Sequence, residues 1–183
     1  MKDLETKNLR IRKFKIEDAK DVYENLATEK KLADSLDYNV HRNIEETKRV
    51  IFSYIKEYET GELVWALEEK ETNTVIGIIN AQEMSRKNKC CRIKFAMALK
   101  WKESTYMEEA LRKVINYLFN IEDFNIVISN FYDGNKELTQ KKESILQNVG
   151  MRKEACLRNR KINEISGESE NRLIYSITKE EIA

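Results

Sequence analysis

The chain has 183 residues, no proline and 5 glycines, where average usage of roughly 5% and 7% would give about nine and about thirteen. That excludes collagen-like repeats, Pro-rich linkers and Gly-rich phosphate loops of the usual kind. Its 33 basic and 32 acidic side chains leave a formal charge of +1, so no whole-surface field steers the chain toward nucleic acid or anionic lipid.

Periodicity then divides the sequence. Leu9 and Ile11 alternate with Arg10 and Arg12, the pattern of a half-buried strand. Ile16, Ala19, Val22, Tyr23 and Leu26 share one helical face, with Glu17 and Asp18 in the first turn. A polar loop through Ser35, Asp37, Tyr38, Asn39 and His41 leads to a second helix marked by Ile44, Thr47, Val50, Ile51, Tyr54, Ile55 and Tyr58, which Gly61 stops. Strand-like runs at 63–67, 75–81 and 91–99 follow, separated by polar turns at 72–74 and 86–89. The clearest helix comes next, with Met107, Ala110, Leu111, Val114, Ile115, Leu118 and Phe119 on one face. A strand at 125–131 and a short helix carrying Leu138, Ile145, Leu146 and Val149, ended by Gly150, precede a last strand pair at 151–157 and 172–177.

The expected order is β-α-α-β-β-β-α-β-α-β-β, an α/β chain with a mixed sheet and helices on its faces. Hydrophobic residues make up 41% of the chain, enough for one core, and a single domain over 1–183 is expected. Cys90, Cys91 and Cys156, with one histidine and no CxxC, form neither a disulfide framework nor a metal site. No apolar run approaches the roughly 18 residues of a membrane span, and the N-terminus lacks a signal-peptide core. A reduced, cytoplasmic protein with no membrane partner is the expectation, and nucleic acid is an unlikely one.

Segments spread along the whole chain carry a family resemblance. LETKNLRIRKFKIEDAKDVYE, SLDY with IEETK, TVIGIINAQE, IKFAMAL running into YMEEALRKVINYLF, VGMRKEACLRN and RLIYSITKEE together resemble the GNAT superfamily of acetyl-CoA-dependent N-acetyltransferases. Within it they look like the branch acetylating N-termini of ribosomal proteins. The resemblance implies a GNAT fold and direct transfer of acetyl from acetyl-CoA to an amine in a ternary complex. The acceptor would be a small-molecule amine or a protein N-terminus, and the protein a monomer or homodimer. It also implies that the backbone of Met97, Ala98 and Leu99 pairs with the pantetheine arm, and that a backbone N–H there polarises the thioester carbonyl. The cofactor diphosphate would lie on amides at the start of the following helix.

Two departures bear on activity. The family pattern Gln/Arg-x-x-Gly-x-Gly/Ala falls on Lys102, Glu103, Ser104, Thr105, Tyr106 and Met107, so Thr105 and Met107 replace small residues. Thr105 at positive φ would cost on the order of 1–3 kcal/mol; in the ordinary α region its hydroxyl would donate to a phosphate oxygen instead. The family's Asn-x-x-Ser, counted back from Gly150, falls on Thr139 and Lys142, and Leu146 stands where other branches carry an acidic tyrosine. The alternative is therefore a degenerate GNAT-fold protein that binds a ligand or partner without transferring acetyl.

Among single residues, His41 has the pKa range of a general base or is an exposed loop histidine. Glu83 is a base or amine anchor, or a surface carboxylate. Tyr38 and Trp65 line the acceptor side or, for Trp65, belong to the core. Trp101 packs on the helix start. Tyr54 and Tyr58 pack within the second helix, and Arg158, Arg160 and Lys161 are solvated strand-edge charges.

Overall fold

The computed structural model describes residues 1–30, 32, 39–163 and 166–182, and of Glu83 the backbone alone. In chain order the elements are β1 (Leu4–Glu5), β2 (Leu9–Arg12), α1 (Ala19–Val22), α2 (Ile44–Glu57), β3 (Leu63–Glu69), β4 (Thr74–Ser85), β5 (Cys90–Met97), α3 (Tyr106–Asn120), β6 (Ile126–Tyr132), α4 (Lys136–Asn148), β7 (Arg152–Ile162) and β8 (Ser169–Thr178). A 3-10 turn, Ile16–Asp18, leads into α1, and a π-helical segment, Tyr23–Ala27, continues it. Among the described residues the expected order is present, preceded by the two-residue β1, too short to give a periodic signal. The fold is mixed α/β. The chain forms two compact units, one from Met1–Gln82 with Lys94–Val114, the other from Glu83–Ile93 with Ile115–Ala183.

In the first unit the strand order is β1-β2-β3-β4-β5, and β1 to β4 pair antiparallel in sequence. Every residue of β3 is buried, which is why its sequence reads as a continuous run and not an alternation. Phe14, Ala19, Ile51, Val64, Ala66 and Val75 form one apolar cluster, joined by Ile44, Tyr54 and Ile55 of α2. Trp65 is fully buried, so it belongs to the core. Tyr58 does more than pack. Its hydroxyl accepts from the Phe14 N–H at 2.9 Å and donates to the Val64 carbonyl at 2.9 Å, and burial pushes its pKa up to about 12.

A buried ionic group ties β2 to β3 and to the 3-10 turn that follows β2. The Arg12 guanidinium makes two bonds of 2.8 Å to Asp18 and one of 2.7 Å from Nε to Glu68, whose other oxygen accepts from Arg10. Asp18 and Glu68 are both buried.

In the second unit β5 runs parallel to β6 from Cys90↔Ile126 to Ile93↔Ser129. β6 then pairs antiparallel with β8, and β8 with β7. Ile115, Leu118, Phe119, Phe124, Val127 and Leu146 are buried, and Phe131 stacks on Tyr175 at 6.1 Å. Gly150, at φ 93°, ends α4 in the left-handed conformation that glycine adopts without a Cβ penalty.

Arg12→Ala leaves the buried Asp18 without its cation and Glu68 with Arg10 alone, and is expected to destabilise the protein by about 3–5 kcal/mol, measured by urea denaturation at pH 7. Burial alone would raise the Glu68 pKa, but the hydrogen bonds and charges of Arg10 and Arg12 outweigh it and hold it below the ordinary 4.5. The associated stability is therefore present above about pH 4.5 and lost as pH falls through the folded-state pKa. Denaturation repeated down the acid range should show a flatter pH dependence for Arg12→Ala than for the wild type.

Candidate active site

Peptide groups of a strand point alternately to its two sides, and one hydrogen bond sets that alternation at the end of β5. The Ala98 N–H donates to the Ile76 carbonyl of β4 at 2.8 Å. The N–H and C=O of Met97 therefore project away from β4. Gly77 lets the two strands approach, because a Cβ there would lie 2.9 Å from the Ala96 carbonyl oxygen and 2.9 Å from Leu67 Cδ1.

The Ile76 carbonyl is available because β4 bulges. Pairing passes from Leu67↔Gly77 directly to Glu68↔Val75, so Ile76 is the extra residue. Helix side chains take over at the interrupted ladder. Asp21 accepts from the Val75 N–H at 2.9 Å, and the Asn25 amide donates to the Val75 carbonyl at 3.2 Å. Asp21 and Asn25 are four residues apart across the passage from α1 into the π-helical segment, a rare conformation enriched at functional sites.

After Met97 the chain makes a 3-10 turn, Leu99–Trp101, and then enters α3. The N–H of Trp101 bonds to the Ala98 carbonyl, that of Lys102 to Leu99, and that of Ser104 to Trp101. The Ser104 hydroxyl donates to the Trp101 carbonyl at 2.7 Å and accepts from the Tyr106 N–H at 3.4 Å. Thr105 is not among the residues at positive φ, so the strain considered for it does not arise. Its carbonyl accepts from the Glu109 N–H at 3.0 Å, which makes it the residue that begins α3. Its hydroxyl faces Glu109 Oε1 at 3.5 Å.

A carboxylate grips this loop from the β3–β4 hairpin. Glu69 is buried; its Oε1 accepts from the Trp101 indole N–H at 2.9 Å and its Oε2 from the Thr72 hydroxyl at 2.7 Å. Tyr106, the first residue of α3, lies within reach of the same negative charge. Partial burial and the charges of Glu69, Glu71 and Glu109 hold its phenol above the ordinary value.

Met97, Ala98, Leu99, Lys102, Glu103, Ser104, Thr105, Tyr106 and Met107 are thus gathered at one strand end and helix start. Lys102, Glu103 and Thr105 are exposed, and Met107 is buried. His41 connects to the same region. Its backbone N–H bonds to the Ala27 carbonyl at 2.9 Å, and the neighbouring Leu26 packs with Leu32 and Ala98. The His41 Nδ1 lies 2.8 Å from Thr47 Oγ1. Burial lowers its pKa below 6.5 against the opposing charge of Glu46, so the ring is neutral at pH 7.

Tyr38 lies outside the described residues. Glu83 is in β4, with its side chain outside them, and belongs to the second unit. Thr139, also in the second unit, sits inside α4, its N–H bonded to the Asn135 carbonyl. The residue capping that helix is Asn135, whose side chain accepts from the Leu138 N–H at 3.0 Å. The sequence signal for this cap is the Gly134–Asn135 pair. Glu69, Asp21 and Asn25 carry no such signal. Their partners lie 32 to 54 residues away, and no local pattern marks them.

The first turn of α3 offers N–H groups with no intrahelical acceptor, flanked by Lys100 and Lys102. Those groups fit an anionic diphosphate, while the amides of Trp101, Lys102 and Ser104 are taken up within the turn. Among the described residues no group of His, Cys, Asp and Glu could hold a metal ion, and no helix is long and apolar enough to cross a membrane.

The sequence matches the family described as "Acetyltransferase (GNAT) domain" over residues 8–152. No curated protein matches it significantly. Among solved structures, an acetyltransferase (GNAT family) from Bacillus anthracis is similar with a TM-score of 0.80 at 19% identity, covering 98% of this chain and 100% of that one. A ribosomal-protein-S5-alanine acetyltransferase from Vibrio fischeri gives 0.80 at 14% identity, with 97% of each chain covered. A spermidine N-acetyltransferase from Vibrio cholerae, in complex with CoA and spermine, gives 0.76 at 14% identity, covering 96% of this chain and 98% of that one.

The clamp on the bulge has a direct test. Asp21→Ala leaves the Val75 N–H without its acceptor and should destabilise the protein by about 1–3 kcal/mol in chemical denaturation. The Ala98 amide, whose acceptor is carried on that bulge, should exchange with solvent faster in the variant than in the wild type.

Proposed function

The chain belongs to the GNAT acetyltransferase family, and from that premise we propose that it transfers acetyl from acetyl-CoA to an amine, a protein N-terminus or a small amine, by direct attack in a ternary complex. The observation that carries this reading is the orientation of the Met97 peptide groups, turned away from β4 by the bond from Ala98 to Ile76. When bound, acetyl-CoA supplies an activated thioester carbonyl. The Met97 backbone would align the pantetheine arm, and a backbone N–H at this strand end would stabilise negative charge on the carbonyl oxygen. The first-turn amides of α3 with Lys100 and Lys102 would hold the diphosphate. Both kinds of acceptor are represented among the similar structures, one acting on a ribosomal protein and one on spermidine.

An amine attacks only when neutral, so a proton acceptor belongs near it. His41 fills that role in the tautomer whose Nδ1–H donates to Thr47 Oγ1, which leaves the Nε2 lone pair as the base. Three free cysteines and the absence of a disulfide framework accord with a cytoplasmic setting.

Calorimetric titration with CoA tests the cofactor assignment. Micromolar binding is expected, and Met97→Pro, which removes the N–H facing away from β4, should weaken it at least about tenfold. The folded state of the variant is checked by its thermal transition. No binding at millimolar CoA contradicts the reading, and binding without thiol release on any amine makes the protein a ligand-binding module. In a thiol-release assay with an accepted amine, His41→Ala should lower kcat by about 100-fold. The wild-type rate should fall on acidification with an apparent pKa below 6.5, the direction in which burial moves His41.

A further inference from the structure

The loop between β5 and α3 has no glycine, yet its backbone stays within the ordinary φ regions. Its shape comes in part from the Glu69 carboxylate of the β3–β4 hairpin. Trp101, which closes the 3-10 turn at the start of the loop, donates its indole N–H to Glu69, and the charge of that carboxylate reaches Tyr106, the first residue of α3. Thr72 takes the second oxygen and fixes the carboxylate rotamer. The residues between Trp101 and Tyr106, 102–105, include the three exposed ones. We propose that Glu69 is a positioning residue that shapes the glycine-free loop for a diphosphate and, through its charge, sets how tightly that diphosphate is held. The inference rests on the acetyl-CoA reading for its ligand and on the hydrogen bonds alone for its structural part.

The charge and the indole clip act in opposite directions and can be separated. The carboxylate places negative charge at the helix start, where an anionic diphosphate would bind, and the charges of Glu71 and Glu109 act on Tyr106 as well. Glu69→Gln removes the charge and keeps the clip, since the amide oxygen still accepts from the indole and the amide nitrogen donates to the Thr72 hydroxyl. Glu69→Ala removes both. The two variants are equally neutral and differ only in the clip.

CoA titration and amide exchange of the wild type and both variants test the inference. Glu69→Gln should bind CoA about 3- to 10-fold tighter than the wild type, with the gain shrinking as salt is raised. Glu69→Ala should bind about tenfold more weakly than Glu69→Gln and show faster exchange at the amides of residues 104–107, where Glu69→Gln stays as protected as the wild type. If Glu69→Ala does not fold, Trp101→Phe breaks the same clip from the other side and should reproduce its exchange pattern. Equal binding and equal exchange in the two neutral variants would overturn the positioning role, and Glu69→Gln binding no tighter than the wild type would overturn the role of the charge. Absence of CoA binding in all three proteins would overturn the acetyl-CoA reading and the ligand part with it. The exchange pattern would then decide the positioning part.

Discussion

The hydrogen bond from the Ala98 N–H to the Ile76 carbonyl is the constraint on which the site is built. It fixes the phase of peptide alternation at the end of β5, and with it the direction in which Met97 presents its N–H and C=O. The bond needs an acceptor from the bulged residue of β4, and the bulge needs partners for the Val75 peptide groups. Asp21 and Asn25 supply them. A sequence of short polar contacts thus runs from one helix face through a bulge to the backbone of a single strand end, and each step satisfies a group that would otherwise be buried without a partner.

The scarcity of glycine changes meaning once the backbone is seen. Gly77 is kept where a Cβ would meet the Ala96 carbonyl, and Gly61 and Gly150 are kept at positive φ where helices end. At the loop before α3 no glycine is required, because Thr105 begins the helix in an ordinary conformation and side chains from the β3–β4 hairpin define the turn. Conformational freedom given by glycine elsewhere is replaced here by an indole held on a buried carboxylate. The replacement has an electrostatic consequence, since the carboxylate that orders the loop also opposes an anion on it.

Much of the fold was legible because burial imposes a period. The helix at Tyr106–Asn120 follows directly from Met107, Ala110, Leu111, Val114 and Ile115, all buried as their spacing implies. β3 was legible as a continuous apolar run, and the turns at Asn73 and Lys89 as polar interruptions, both now seen at positive φ. The loop residues were found by position relative to that helix. Glu69 was not, because a glutamate at the end of a strand carries no sign of an indole 32 residues onward. Nor was the π-helical segment, since its apolar face at Val22 and Leu26 reads like that of an α-helix. Asn135, the cap of α4, was not singled out, because the count back from Gly150 leads to Thr139 inside that helix.

A coenzyme held on the side of β5 facing away from β4 and at the first turn of α3 would perturb a defined set of backbone amides, read as chemical shifts during titration with CoA. The Met97 amide and those of Met107 and Glu108 should move together and saturate at one concentration. The Ala98 amide, bonded to Ile76, and the Trp101 amide, bonded within the turn, should move little. Shifts confined to residues remote from Met97 and the start of α3, or none at all, would contradict that placement.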